Sequence, residues 1–154
     1  MYTANQVANW ILTRYSAKMD TDDGIDPMTQ MKLHKLLYYV QGTFLALHST
    51  TLFSDNILHW KHGPVVRSIY DRFKGETVIG QTISNDERED YLSINQDSEA
   101  EEVLNAVFEN YSDYSAAQLR SMTHNELPWM NTAHNEVISS EAIENYFKKE
   151  IVEA

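Results

Sequence analysis

The chain has 154 residues, 42% of them apolar and 11% aromatic, with no cysteine and a net charge of −11. That length fits one domain with a real core, which excludes wholesale disorder, and the missing cysteine excludes a disulfide framework, a thiolate zinc site and a cysteine nucleophile. Residues 1–75 carry 8 Lys/Arg and 6 Asp/Glu whereas 76–154 carry 4 and 17, so nucleic-acid phosphate is a poor partner and a basic protein a good one.

In chain order, Val7, Ile11 and Tyr15 repeat at helical spacing, with Thr3 placed to cap that helix. Asp26-Pro27 then predicts a helix start, Asp26 as cap and Pro27 at the first turn. The run over about 27–49 is apolar on most sides. Met28, Met31, Leu36, Val40, Phe44 and Leu47 form one stripe, widened by Leu33, Leu37, Tyr38 and Leu45. A helix of that kind is central in its domain. Gly42 in its middle lowers helix propensity but lets another backbone approach closely. Lys32 and Lys35 are expected to snorkel along its rim.

Residues 50–63 read as a connector, with room for a short turn or strand. Gly63-Pro64 reads as a turn feeding a helix through Val65, Val66, Ile69, Tyr70 and Phe73, stopped at Gly75. Partial alternation in 77–83 and 91–94 predicts a small β-hairpin near 77–94, with NDERED as its loop. Ser98-Glu99-Ala100-Glu101 and Ser115-Ala116-Ala117-Gln118 read as capping boxes, and Ser140 as the cap of a last helix. Pro128 starts a new turn through Trp129. The fold expected is a mainly α, single-domain helical bundle over 1–154, built around the central helix. No apolar run approaches the roughly 20 residues of a membrane helix, and the N-terminus has no leader pattern, so a cytoplasmic protein without membrane contact is expected.

No motif for phosphate, nucleotide or serine-hydrolase chemistry occurs, and no cofactor is expected. His59 and His62 stand three apart, but Gly63-Pro64 follows at once and no carboxylate lies at metal-motif spacing, so packing or hydrogen bonding is the reading preferred over a metal. His-Asn-Glu occurs at 124–126 and 134–136 without the HExxH of a zincin helix. Thr123-His124-Asn125-Glu126 reads instead as backbone capping at a helix boundary. Trp60 and Trp129 are expected in the core rather than as exposed anchors; the exposure of His62 is left open. No catalytic residue and no metal ligand is assigned, and the chain is not expected to be an enzyme.

Four boxes in order carry a more specific signal. They are Lys32-Leu33-His34-Lys35-Leu36-Leu37-Tyr38-Tyr39; Trp60 with His62-Gly63-Pro64-Val65; Ile69-Tyr70-Asp71-Arg72-Phe73; and Thr123-His124 with Pro128-Trp129. On these boxes, and over about residues 7 to 135, the chain resembles the Panacea-domain family of SocA-like and GepA-type, phage- and mobile-element-associated antitoxins. His34 stands where that family often has Gln, and the acidic segment 86–102 falls in its variable middle. The resemblance implies an antitoxin that neutralises a cognate toxin by direct binding, with no catalytic activity. The alternative it implies is a phage or mobile-element adaptor or regulator delivering a partner to a cytoplasmic protease; a histidine-based metal enzyme ranks last. It marks Lys32, Lys35, Tyr38, Tyr39, Trp60, His62, Gly63, Pro64, Tyr70, Phe73, Thr123, His124, Pro128 and Trp129 as motif or partner-binding candidates. Toxin contact is expected in the acidic half, at Glu99, Glu101 and Glu102.

Overall fold

Every residue from Lys32 to Gly42 is buried, three turns of helix enclosed on all sides. In the computed structural model, which describes residues 1–152, this stretch belongs to α2 (Gln30–His48) and forms the axis of the molecule. Before it comes α1 (Ala4–Thr21) and after it a β-hairpin, β1 (Ile57–Trp60) and β2 (Gly63–Val66). Then follow α3 (Arg67–Arg72), α4 (Asn85–Ile94), α5 (Ser98–Tyr111), α6 (Ala116–His124), α7 (Leu127–Met130) and α8 (Ser140–Tyr146), which runs into a π-helical segment, Phe147–Val152. The expected mainly α body around a central helix is what the chain builds. No helix among the described residues is long and apolar enough to cross a membrane.

α2 touches α1, α5, α6, α8, the π-helical segment and β2, which explains why one face of it could not be polar. Gly42 is where the π-helical segment comes closest. A Cβ there would lie 2.4 Å from the Phe147 ring, so the missing side chain makes the seat for a fully buried phenylalanine. Met31 and Leu47, assigned to the buried stripe, are 38% and 50% exposed because they lie at the two ends, beyond the enclosing elements.

Local capping explains most helix boundaries. Thr3 accepts from the Gln6 N–H at 3.1 Å while Gln6 accepts from the Thr3 N–H, and Ser115 and Gln118 do the same for α6, as read. Other caps sit elsewhere than predicted. α2 starts at Gln30 behind Thr29, not at Pro27, because Met28 and Thr29 are held extended against Thr77–Ile79: Gln30 N–H donates to the Thr77 carbonyl and Ile79 N–H to that of Met28. Asp97, not Ser98, caps α5, and Ser139, not Ser140, caps α8.

The hairpin predicted near 77–94 is a correction. Residues 85–94 are α4, started by a Ser84/Glu87 capping box, and Thr77–Ile79 makes only an isolated bridge to Thr29. A short alternating run cannot outweigh a Ser-x-x-Glu start signal. The hairpin lies instead in the presumed connector. Lys61-His62 is its turn, Trp60 pairs with Gly63 and His59 with Pro64, and the helix begins only at Arg67. Pro64 is tolerated in the strand because His59 directs its own N–H and carbonyl outward, to Glu136 O at 3.0 Å and Asn135 N at 2.8 Å. The missing proline N–H therefore leaves no bond unmade.

Candidate functional site

Three of the four boxes converge where α2, the hairpin, α6 and α7 meet, and the remaining one, Ile69–Phe73 on α3, packs beside β2. Gly63, at φ 123°, is the closest point. A Cβ on it would stand 3.3 Å from both Lys35 Cε and Thr123 Oγ1. Lys35 and Lys32 are not rim residues as expected; they are 2% and 6% exposed, because elements close over this part of α2 on every side.

The two lysines are treated differently. Lys32 Nζ donates to the Tyr15 hydroxyl at 3.3 Å and to the Ser112 carbonyl, and stands 4.8 Å from the Tyr15 ring centre. Lys35 Nζ has one long bond, 3.4 Å, to Met31 O of its own helix. Burial lowers both ammonium groups to about 8, helped by the Lys18 charge at Lys32 and the Arg120 charge at Lys35. His34 lies beside Lys35 on α2. Its Nδ1 accepts from the Val66 N–H at 3.2 Å and its Nε2 faces Gln30 Oε1 at 3.2 Å. Burial first, then the Lys35 charge, lowers it to about 3, so the neutral ring pins β2 to α2.

One turn further, Tyr38 and Tyr39 donate to the two oxygens of Glu126 at 2.9 and 2.8 Å. Burial raises the Glu126 carboxyl and the two hydrogen bonds oppose it; burial and the same carboxylate raise both phenols. Tyr39 also stacks on Tyr111, centroids 4.1 Å apart. Glu126 is thus a buried acceptor and not part of a capping pair with Thr123, whose hydroxyl donates to the Arg120 carbonyl.

Trp129 lies between two imidazoles, His59 at 4.0 Å and His124 at 3.9 Å between ring centres, tilted by 25° and 15°. Burial lowers both histidines, His124 further through Arg120 and Lys35. Among the described residues, buried His59 Nδ1, His124 Nε2, Trp129 Nε1 and Arg120 Nε find no hydrogen-bond partner. Trp129 is half-buried and packs against the core, as expected in part, whereas Trp60 is half-buried outside it; Trp60 packs edge-on against Tyr70 at 4.9 Å, and His62 is exposed at the turn.

Outside this packed seam a cleft of about 580 Å³ opens between the start of α2, the hairpin and α3. Lys35, Trp60, His62 and Tyr70 of the predicted set line it, with His34, Lys61 and His134. Tyr38, Tyr39, Gly63, Thr123, His124, Pro128 and Trp129 build the seam behind it. Lys32 points toward α5 and α1, and Phe73 is buried, its carbonyl held by Gln30 Nε2 at 2.9 Å. Among the described residues no group of three His, Asp or Glu converges as metal ligands. Sequence reasoning missed Glu126 and His34 as tie residues, and Gln41, whose amide holds Leu52 and Phe53 of the loop before β1. A polar residue inside an otherwise apolar helix was the available signal for His34 and Gln41.

A family model described as the SocA-like antitoxin, Panacea domain, matches residues 33–130, well over half of the chain. The match runs from α2 to α7, so it encloses the seam and the hairpin. Neither the curated proteins nor the solved structures give a match.

Proposed function

This chain belongs to the family of SocA-like antitoxins with a Panacea domain, and on that premise we propose that it neutralises a cognate toxin by direct protein–protein binding in the cytoplasm, without catalysing a reaction. The observation that carries this reading is the use made of the matched boxes. Their polar residues tie helices together, as in the Tyr38/Tyr39/Glu126 and His34/Val66 bonds. This gives a rigid body whose outer faces are free to meet a partner.

One of those faces is strongly acidic. α4 and α5 carry eight Asp/Glu and one Arg, with Asp97 a ninth acid between them, and Glu89, Glu102 and Glu109 are exposed. Such a surface suits a basic toxin by steering and complementarity. Glu99 belongs to it but is held by His48 Nδ1 at 2.8 Å, so reversing Glu99 would also remove that contact.

The test is co-expression with the product of the neighbouring open reading frame. Rescue of growth, with toxin and this chain recovered together at unchanged toxin level, supports the proposal. Rescue by loss of the toxin protein would favour delivery to a protease instead. Failure to rescue any adjacent toxic gene would overturn both.

A further inference from the structure

Lys35 is a buried cation that the fold leaves without a counter-charge. Among the described residues no carboxylate lies within ion-pair distance of it, and its one long hydrogen bond goes to its own helix. The charge that most affects it is another cation, Arg120. Yet Lys35 lines the cleft, whose walls include Trp60 and Tyr70 and whose rim carries Lys61 and His62. Among the described residues Glu76 is the one carboxylate on that lining. In a chain of net charge −11, this is a local concentration of positive charge with an apolar surround.

An unpaired buried ammonium is costly unless something completes it. Lys32, its neighbour on the same helix, is completed internally; Lys35 is not, and it is the one that faces the cleft. The cleft offers one inner cation, too few donors for a phosphate dianion but a match for a carboxylate. Its volume far exceeds a single ion, and the aromatic walls suit the apolar neighbours of that carboxylate in a peptide. We propose that this cleft receives an acidic side chain from a segment of the partner protein, with the carboxylate on Lys35 Nζ and flanking apolar groups against Trp60 and Tyr70. The inference rests on the reading that the chain works by binding a protein. It adds a contact of opposite polarity to the acidic face of α4 and α5.

The probes are three libraries of capped pentapeptides with a central Glu, Gln or phosphoserine, screened against the full chain. Binding is followed by the side-chain carbon resonance of Lys35, assigned with Lys35→Met. Glu peptides should bind at roughly millimolar affinity or better and at least about tenfold tighter than their Gln counterparts. They should move the Lys35 resonance and raise its titration midpoint. Lys35→Met should erase the Glu preference, and Trp60→Ala should weaken Glu and Gln peptides alike. Equal binding of Glu and Gln peptides, an unmoved Lys35 resonance, or preference for phosphoserine or inorganic phosphate would overturn the proposal. Toxin neutralisation in co-expression is scored separately. Neutralisation without Glu preference sinks this inference alone, and Glu preference without neutralisation sinks the antitoxin reading alone.

Discussion

The Tyr39 hydroxyl donates to Glu126 Oε2 at 2.8 Å across 87 residues of chain, and its neighbour Tyr38 takes the other carboxylate oxygen. One buried carboxylate therefore closes the first and last boxes on each other. Removing it leaves two buried phenols without an acceptor. Glu126→Ala should cost about 2–4 kcal/mol in urea denaturation, and Glu126→Gln about half of that, because the amide keeps one acceptor oxygen. Tyr39→Phe and Glu126→Gln should be non-additive; additive losses would show that the tie is not a unit.

The seat at Gly42 is a steric prediction. Gly42→Ala drives a methyl to within 2.4 Å of the Phe147 ring. The ring must move, and overpacking of this kind costs about 1–3 kcal/mol. Phe147→Leu should recover part of that loss in the double variant although it is destabilising alone. If Gly42→Ala is neutral by thermal melting, the close approach of the π-helical segment is wrong.

Acid sensitivity should centre on His34. Its folded pKa lies at about 3, below the ordinary 6.5, because the charged form is desolvated and sits beside Lys35. A group with a lowered folded pKa contributes full stability above 6.5 and loses it as pH falls toward 3, since the unfolded chain binds the proton first. Between pH 7 and 5 the loss from this site is about 2 kcal/mol at most. His34→Gln, which keeps an acceptor for the Val66 N–H, should flatten that slope in denaturation at pH 7 and 5. An unchanged slope would assign acid sensitivity to other groups.

Alkaline behaviour should report the buried lysines. Burial lowers Lys32 and Lys35 to about 8 when folded, against the ordinary 10.5 of a free lysine. Between pH 8 and about 10, the unfolded chain holds protons that the folded one has released, so stability rises with pH. Above pH 10 tyrosines of the unfolded chain ionise while Tyr38 and Tyr39 resist, and the trend reverses. Lys35→Met should reduce the rise and stabilise the chain at pH 7 by on the order of 1 kcal/mol, because it replaces an uncompensated ammonium. Destabilisation would mean that Lys35 is paired in solution.

Binding to a toxin should be sensitive to charge on α4 and α5. Reversing Glu89, Glu102 and Glu109 to Lys should weaken association with a basic toxin by about tenfold or more, chiefly through a slower on-rate at low salt. Three reversals at exposed N-terminal residues such as Asp20, Asp22 and Asp23 should do less. Equal effects in a salt series would remove α4 and α5 from the interface.

The amino-acid sequence alone determined the mainly helical body, the central position of α2, the caps at Thr3 and Ser115 and the family boxes, because helical periodicity, Ser/Thr caps and motif spacing are local signals; at Gly42 it pointed to a close backbone, where the structure seats the Phe147 ring. It misplaced the hairpin, since short segments around a proline read equally as turn or strand until a partner strand is known. The Pro64 strand is possible only because residues 135–138 take the outward hydrogen bonds of β1. It also placed Lys32 and Lys35 at a rim that does not exist, and read Glu126 as a local cap. Burial of a polar side chain depends on which distant elements close over it. Only the tertiary structure could decide that Glu126 is shared by two tyrosines while Lys35, on the same buried helix, is left facing a cleft.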